Sequence, residues 1–478
     1  MIAVMFSLVK IVRVLIKTAP IRGTCLDRLV GRTLRRVAVF CVLTVGFLPI
    51  GATAQITEPL LPYSVPPGAP SLPAPPGEEV IAPGQTVTNR PRPEYDPIGV
   101  RVGDFFWFPR TELDEAYNSN IFATNTHPIY DLITAFQPSF DLLSIFPRNA
   151  LNLHGTSAIQ VYADHPAQNT QDGTINLDGR LDVTAGSSFY GNAQVAHQHI
   201  SYGSPNSPGN ITQPVTYWDY IARAGYAQGG RRFSYSIDLG TESAQYNAAP
   251  LVGGGVSPQS SQDITISEGA VRGSYELVPD YLGYVRFATD LYNYWHTPPG
   301  GTRANSTIYR ADFGLQILPR HIIYGEVYAG YLVQNFAVSG LGSTSAPDYG
   351  GRLVWNLTRL TTLTFNGART FITGTPSSPS IPTFGFAGNG YLASTIAVSG
   401  DHELLRDLLL NVNAYYENDS FQGINRSDNF FNVGAGFKYL VNRNLFLGGS
   451  YSYQQRSSTL AGGSYRQNIV LLRVGTQF

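Results

Sequence analysis

The chain has 478 residues, of which 14% are charged, with a formal net charge of −1, 29 Tyr, 25 Phe and 49 Gly. So few charges, against about 25% in ordinary soluble domains, argue against a cytosolic enzyme, and the lack of a basic excess argues against nucleic-acid binding. A mean hydropathy of −0.07 shows apolar residues diluted by small polar ones, the mixture expected where the two alternate along the strands of a β-barrel in lipid.

The first predicted element is a secretion signal. Arg35 and Arg36 precede an apolar run, Val37 to Ile50, which ends in Ala52-Thr53-Ala54 before Gln55. A basic start, a short apolar centre and a small-x-small end are the parts of a cleaved signal peptide. The run is short for a spanning helix, which needs about 20 apolar residues; an uncleaved anchor is the alternative. The stretch upstream of Arg35 is longer than a signal needs, and a start site placed too far upstream accounts for it. The pattern predicts residues 1–54 as signal, cut between Ala54 and Gln55. Cleavage removes Cys25 and Cys41, the only cysteines, and leaves no disulfide or thiolate chemistry. It also removes eight of 32 basic and one of 33 acidic residues, which leaves a formal charge of −8 and one lysine, Lys438.

Residues 55–98 are Pro-rich ("EPLLPYSVPPGAPSLPAPPGEEVIAPG"). Proline lacks an N–H and fixes φ, so this density opposes helix and sheet and favours extended polyproline II. The segment reads as a disordered or extended periplasmic tether, or alternatively as a docking ligand for a periplasmic partner.

From residue 99 to 478 a period-two pattern takes over, as in strands whose successive side chains face opposite ways. Trp218, Tyr220, Ala222, Ala224 and Tyr226 oppose Asp219, Ile221, Arg223 and Gly225; Tyr309, Ala311, Phe313, Leu315 and Ile317 oppose Arg310, Asp312, Gly314 and Gln316. Leu408, Leu410, Val412, Ala414 and Tyr416 oppose Asn411, Asn413 and Glu417; Phe431, Val433, Ala435, Phe437 and Tyr439 oppose Asn432, Gly434, Gly436 and Lys438. Each run is about 9–11 residues, enough to cross a bilayer at a tilt. Short turns are predicted at Pro147, Gly186, Gly230, Pro279, Pro319, Arg359, Arg406 and Asn442, and between them lie longer connections rich in Gly, Pro, Ser and Thr. Tyr309, Tyr331, Tyr416, Tyr439 and Tyr453 fall toward the ends of apolar faces, as an interfacial girdle requires.

The last residues, "IVLLRVGTQF", place Val470, Leu472, Val474, Thr476 and Phe478 on one face and Leu471, Arg473, Gly475 and Gln477 on the other. They read as the closing strand. The fold class is therefore all-β: a transmembrane antiparallel up-and-down barrel of about 18 strands (16–18), with short periplasmic turns and long extracellular loops. The even count brings first and last strands together, so that no edge is left to lipid.

"VGDFFWFPRTELDEAYNSNIFAT" and the recurring "LPR" and "LVNRNL" turns resemble the Putative beta-barrel porin 2 family of outer-membrane barrels. The resemblance covers about 100–478. It implies a place in the outer membrane of a Gram-negative bacterium and an association with exopolysaccharide or capsule production. It implies as partners outer-membrane lipid, polysaccharide and periplasmic export proteins. The terminal Phe478 with Val470, Leu472 and Val474 resembles the signal read by the barrel-insertion machinery.

On the faces assigned to the lumen lie Asp219, Arg223, Asp238, Arg272, Glu276, Arg286, Asp290, Arg310, Asp312, Glu326, Arg352, Glu417, Lys438 and Arg473. A lipid-facing Arg costs about 2–4 kcal/mol at mid-membrane, so the inward placement is favoured. Singly these groups read as pairing across strands; as a set they read as a mixed-charge lumen that sorts hydrophilic solutes. Tyr284, Tyr324 and Tyr328 also face inward, where rings could stack on sugars. His197 and His199 share a strand face at metal-ligand spacing but lack a third ligand, and read as polar residues at a strand end. His321 and His402 lie near periplasmic turns, a poor place for surface hydrolysis. No Walker loop, nucleophile elbow or zinc motif occurs, and the reading assigns no catalytic residue, metal or cofactor. Three functions remain: a porin-like channel tied to exopolysaccharide export, a loop-plugged scaffold barrel of an export complex, and a rim hydrolase.

Overall fold

The computed structural model describes residues 84–478 apart from 185, 206, 209, 298–302, 339–341, 373–389 and 423. The predicted signal, its Ala54–Gln55 junction and the tether up to 83 lie outside the described residues.

Twenty-one strands follow in chain order. They are β1 (Val100–Val102), β2 (Phe105–Asn118), β3 (Asp131–Ser144), β4 (Ala150–Tyr162), β5 (Thr170–Thr184), β6 (Ser187–His199) and β7 (Thr216–Gly229). Next come β8 (Phe233–Tyr246), the two-residue β9 (Ala249–Pro250) and β10 (Val256–Ser257), β11 (Ile264–Val278), β12 (Tyr281–Tyr294), β13 (Ser306–Ile317) and β14 (Ile323–Phe336). The rest are β15 (Ser343–Thr358), β16 (Thr361–Ile372), β17 (Tyr391–Leu405), β18 (Leu408–Phe421), β19 (Ser427–Leu440), β20 (Leu445–Ser458) and β21 (Tyr465–Gln477). Strands β2–β8 and β11–β21 pair antiparallel with their chain neighbours, and β8 pairs with β11. The last strand returns to the first, from Arg110↔Gln477 to Asn118↔Ile469. The result is a closed 18-stranded barrel. All eight predicted short turns fall between strands, and the long connections alternate with them. The strands are longer than the 9–11 residues read from the pattern, for example 14 in β2 and 16 in β15; a bilayer crossing needs only about 9–11, so they project beyond it.

Exposure alternates along the strands. In β21 Val470, Leu472 and Val474 are exposed while Ile469 and Leu471 are buried. Across the molecule the exposed set is Leu, Val, Ile, Phe and Tyr, and the shielded set includes Asp114, Asp131, Asp312, Gln334 and Gln454. In a closed cylinder the shielded face is the inner one, so the apolar face is the one offered to lipid. Three charged strand residues depart from this partition by lying on the outer face: Glu115, Arg369 and Arg466.

Residues 84–98 are not free chain, in contrast to the extended tether read from the sequence. They run as a strap along the periplasmic rim. Tyr324 Oη donates to the Gly84 carbonyl at 3.0 Å, Asn356 Nδ2 to Gln85 at 2.9 Å, and the Val87 N–H to Thr362 Oγ1 at 3.0 Å. Arg443 Nη2 and Gln477 Nε2 then donate to the carbonyls of Pro93 (2.6 Å) and Tyr95 (3.1 Å). The partners sit on β14, β15, β16, the turn before β20, and β21. Pro91 and Pro93 have no N–H to build a ladder with, so rim side chains reach for strap carbonyls instead. The strap then enters β1, which pairs with β2 from Val100↔Trp107 to Val102↔Phe105. Because β3 covers the other edge of β2 over its full length, β1 occupies the lane that β21 leaves empty beyond the chain end.

The wall changes character at one place. β15 pairs with β14 up to Asn335↔Ser343, but with β16 only from Gly350↔Ala368 downward. Pro347 pairs with Tyr331 of β14, and with no N–H its nitrogen points to the other edge, where proline is tolerated only if no ladder continues. Above this point β16 loses its ladder to β15, while β17 stays paired with β18 up to Tyr391↔Phe421. Residues of the β16–β17 hairpin here are buried on both faces, Phe371 and Ile372 on one strand and Tyr391, Leu392 and Ala393 on the other. Phe371 and Leu392 join Ile308, Leu332 and Ala346 of the inner wall; Ile372, Tyr391 and Ala393 join Phe421 of β18. The barrel is lapped here: the top of β15 lies outside the top of the hairpin, and apolar side chains replace backbone hydrogen bonds.

Candidate functional site: the barrel lumen

All fourteen charged residues singled out above alternate with the lipid-facing set and lie on the inner face. Most are engaged. Arg223 Nε lies 2.8 Å from Glu268 Oε2, across β8, with Glu242 at 3.4 Å. Gly240 makes that crossing possible: a Cβ there would stand 2.8 Å from Glu268 Oε2 and 2.9 Å from Arg223 Cγ. Arg272 reaches Glu326 at 2.9 Å, three strands away, Arg286 reaches Asp312 at 2.7 Å, and Arg310 reaches Asp290 at 2.9 Å. Asp238 accepts from Tyr190 Oη at 2.5 Å, Glu276 Oε1 from the Asp280 N–H at 3.2 Å, and Glu417 from Tyr415 Oη. Arg473 forks onto Asp114 at 2.7 Å and touches Glu112 at 2.8 Å, which ties the last strand to the first by side chains as well as backbone. The Nζ of Lys438 stands 4.3 Å from the centre of the Phe446 ring, which Arg110 shares at 4.7 Å. The Oδ1 of Asp219 is buried without a hydrogen-bond partner.

Tyr284 and Tyr328 are closed to a sugar ring, in contrast to the stacking considered from sequence, while Tyr324 is half-buried. Tyr284 is 3% exposed, with the Arg272 guanidinium 3.6 Å from its centre. Its ring leans over Gly314, where a Cβ would come within 2.5 Å of it. Tyr328 is 7% exposed with Arg286 at 4.9 Å, and the Tyr324 hydroxyl is spent on the strap. The His197 ring packs at a tilt against Trp218, centres 4.9 Å apart, while His199 bonds Asp172 at 2.7 Å, so the two imidazoles have separate partners. His321 sits in the β13–β14 turn and His402 near the end of β17.

Water reaches part of this interior. Arg352 and Asn366 are paired across β15 and β16, face inward, and are exposed. On the opposite wall the Arg180 side chain is 48% exposed beside Asp182 at 2.5 Å. These groups lie in the part of the lumen nearer the periplasm. The outer part is narrowed by apolar packing among the described residues. Ile200, Ile211 and Val215 from the β6–β7 connection, Ala249 of β9 and Ala304 before β13 fold onto Tyr217, Tyr246, Tyr292, Tyr294, Ile308 and Leu332 of the inner wall. An aqueous vestibule thus narrows outward into an apolar collar that includes Phe371 and Leu392.

The family model described as Putative beta-barrel porin 2 matches residues 92–478. The chain belongs to this family. Its members are porin-like outer-membrane β-barrels, which places the chain in the outer membrane of a Gram-negative bacterium. The match begins at Arg92, inside the strap, so the family domain includes part of that segment. Comparison with curated proteins gives no match. Among solved structures the porin barrel is similar to Pseudomonas aeruginosa OccK2 (OpdF) (TM-score 0.42, 9% identity, 79% of this chain and 98% of that one). It is also similar to Acinetobacter baumannii OccAB3 (TM-score 0.41, 11% identity, 79% and 100%). The ferric citrate transporter FecA gives a TM-score of 0.39 at 13% identity over 76% of this chain, which spans only 60% of FecA.

Several residues of this site were not read from sequence. Arg92 and Glu403 meet at 2.7 Å, and no local pattern links positions so far apart. His154 bridges Asp141 (2.6 Å) and Asp178 (2.9 Å) across β3, β4 and β5; alternation puts each on the inner face, but their meeting depends on register. Phe371 and Leu392 stand at outward-facing positions by alternation, yet both are buried.

Proposed function

We propose that this barrel is a channel for hydrophilic solutes, gated in width by the apolar collar. The observation that carries the reading is that charged and amide side chains on the inner wall, Arg352, Asn366 and Arg180, are open to solvent. A wall that merely held a plug would not leave an Arg exposed inside, because a desolvated charge needs a partner. Mixed charge along the wall suits a polar solute without strong preference for sign. The finer reading, passage of an exopolysaccharide with periplasmic export proteins as partners, follows from the family association. The second reading, a scaffold barrel closed by its own loops, is favoured by the collar. Planar-bilayer recording separates them: a stable open level carried by the purified protein is expected, and silence over a range of voltages would favour the scaffold. The reading contains no catalytic step and no cofactor.

We also propose that residues 1–54 are removed on export and that Val470, Leu472, Val474 and Phe478, all on the outer face, address the chain to the barrel-insertion machinery. In purified outer membranes the first residue is expected to be Gln55, and a chain lacking Phe478 to accumulate to a lower level. A blocked or earlier N-terminus, or equal accumulation, would count against the respective assignment.

A further inference from the structure

The lapped joint between β15 and β16 has an outward cation at its base. Arg369 is the first residue of β16 beyond the Gly350↔Ala368 pair and lies on the lipid-facing side of its strand. Its guanidinium carbon stands 5.4 Å from the centre of the exposed Tyr349 ring. It makes no ion pair among the described residues, and its Nε is shielded and without a hydrogen-bond partner. Beside it on the outer wall, Tyr331 Oη and Ser345 Oγ share a hydrogen bond at 2.9 Å and remain exposed. Below it, Leu353 and Phe365 pair across the same two strands and continue the apolar face.

Depth decides what this arrangement can meet. Tyr349 is about nine residues above the periplasmic end of β15, which at about 3.3 Å per residue and a tilt near 40° is a height of roughly 23 Å. The apolar band of such a barrel is about 25 Å tall. Exposed Leu357 and Leu360 carry the apolar face down to the periplasmic turn, so the excess strand length projects outward, and Arg369 stands at the outer edge of hydrocarbon, facing the headgroups of the outer leaflet. A planar guanidinium held over an aromatic ring presents its fork edgewise, and a fork matches the oxygens of a phosphate. Strands on either side are joined to their neighbours by complete ladders and carry no charge at this level; here the β15–β16 ladder stops.

We propose that the β15–β16 joint is a binding site for a phosphorylated glycolipid of the outer leaflet. Arg369 takes the phosphate, the Tyr331–Ser345 hydroxyls face its sugar, and an acyl chain lies over Leu353 and Phe365. The site is independent of what the lumen conducts. Delipidated protein in detergent is given lipid A, and retained lipid is read by native mass spectrometry. Wild type is expected to retain lipid A. Retention is expected to fall about tenfold or more in Arg369→Ala, the loss of roughly 1.4 kcal/mol or more of a charge-assisted pair, and less in Arg369→Lys, which keeps the charge but not the fork. Arg466→Ala, the other outward arginine, should match wild type. Folding of each variant is checked by heat-modifiable migration. Equal retention by Arg369→Ala and wild type, an equal loss in Arg466→Ala, or displacement of the lipid by millimolar inorganic phosphate would each overturn the assignment.

Discussion

Replacement of Phe371 by aspartate is expected to raise single-channel conductance by opening the unladdered β15–β16 seam at the top of the β16–β17 hairpin to water. Phe371 is 1% exposed and packs with Leu392 against Leu332, Ala346 and Ile308. No ladder holds the hairpin to β15 at this height, since pairing with β16 starts only at Gly350. On its other edge the hairpin stays laddered to β18 up to Leu392↔Ser420 and Tyr391↔Phe421, so apolar packing is what closes the β15–β16 seam at this height. Truncating a buried Phe costs about 3–5 kcal/mol, and a carboxylate in the same place must regain water. Pairing of β16 with β15 from Ala368 down, and of β17 with β18 along its whole length, keeps the barrel closed. The variant should thus fold, migrate as a heat-modifiable barrel and conduct more. Unchanged conductance in a folded Phe371→Asp protein would show that the hairpin does not set the width of the path.

The second large effect is expected at the strap. Arg92 is 3% exposed and Glu403 5%, and their 2.7 Å contact is supported by Arg90 at 3.5 Å and Arg406 at 3.6 Å from the same carboxylate. Arg92 Nη2 also donates to the Val87 carbonyl at 2.8 Å, which folds the strap onto itself. Removing one partner of a buried pair costs about 3–5 kcal/mol, because the other charge stays buried alone. Arg92→Ala leaves Glu403 in that position, with Arg90 as a partial substitute. The double variant Arg90→Ala/Arg92→Ala is expected to detach the strap, which proteinase K would then cut between 84 and 98 while the barrel resists. Glu403→Gln combined with Arg92→Ala should cost less than the sum of the single changes, as a coupled pair requires. A strap as resistant to protease in the double arginine variant as in wild type would mean that its backbone contacts to Arg443, Gln477 and Tyr324 suffice.

Much of this architecture is legible along the chain because a strand in lipid is a local object. Side chains alternate every residue, lipid accepts only one kind, and turns need Pro, Gly, Asn or Asp. Tyr309–Ala311–Phe313 against Arg310–Asp312 therefore assigns both faces of β13 without any neighbour. The closing contact of β21 with β2 follows from an even strand count and the cost of an open edge in hydrocarbon.

Three features were decided only by tertiary structure. The strap looked like free tether because proline forbids helix and ladder; what holds it is a rim of side chains contributed by strands distant in sequence. The lumen tyrosines looked available because alternation tells which way a ring points, not which arginine from a neighbouring strand covers it. Alternation places Phe371 and Leu392 at outward-facing positions; they are buried because the ladder between β15 and β16 stops below them, beside Pro347 on another strand. Period and turn chemistry depend on adjacent residues, so the chain itself settled the strands' faces and turns and brought their number to about 18. Register, overlap and long-range ion pairs depend on which segments are brought side by side, and these came only with the closed sheet.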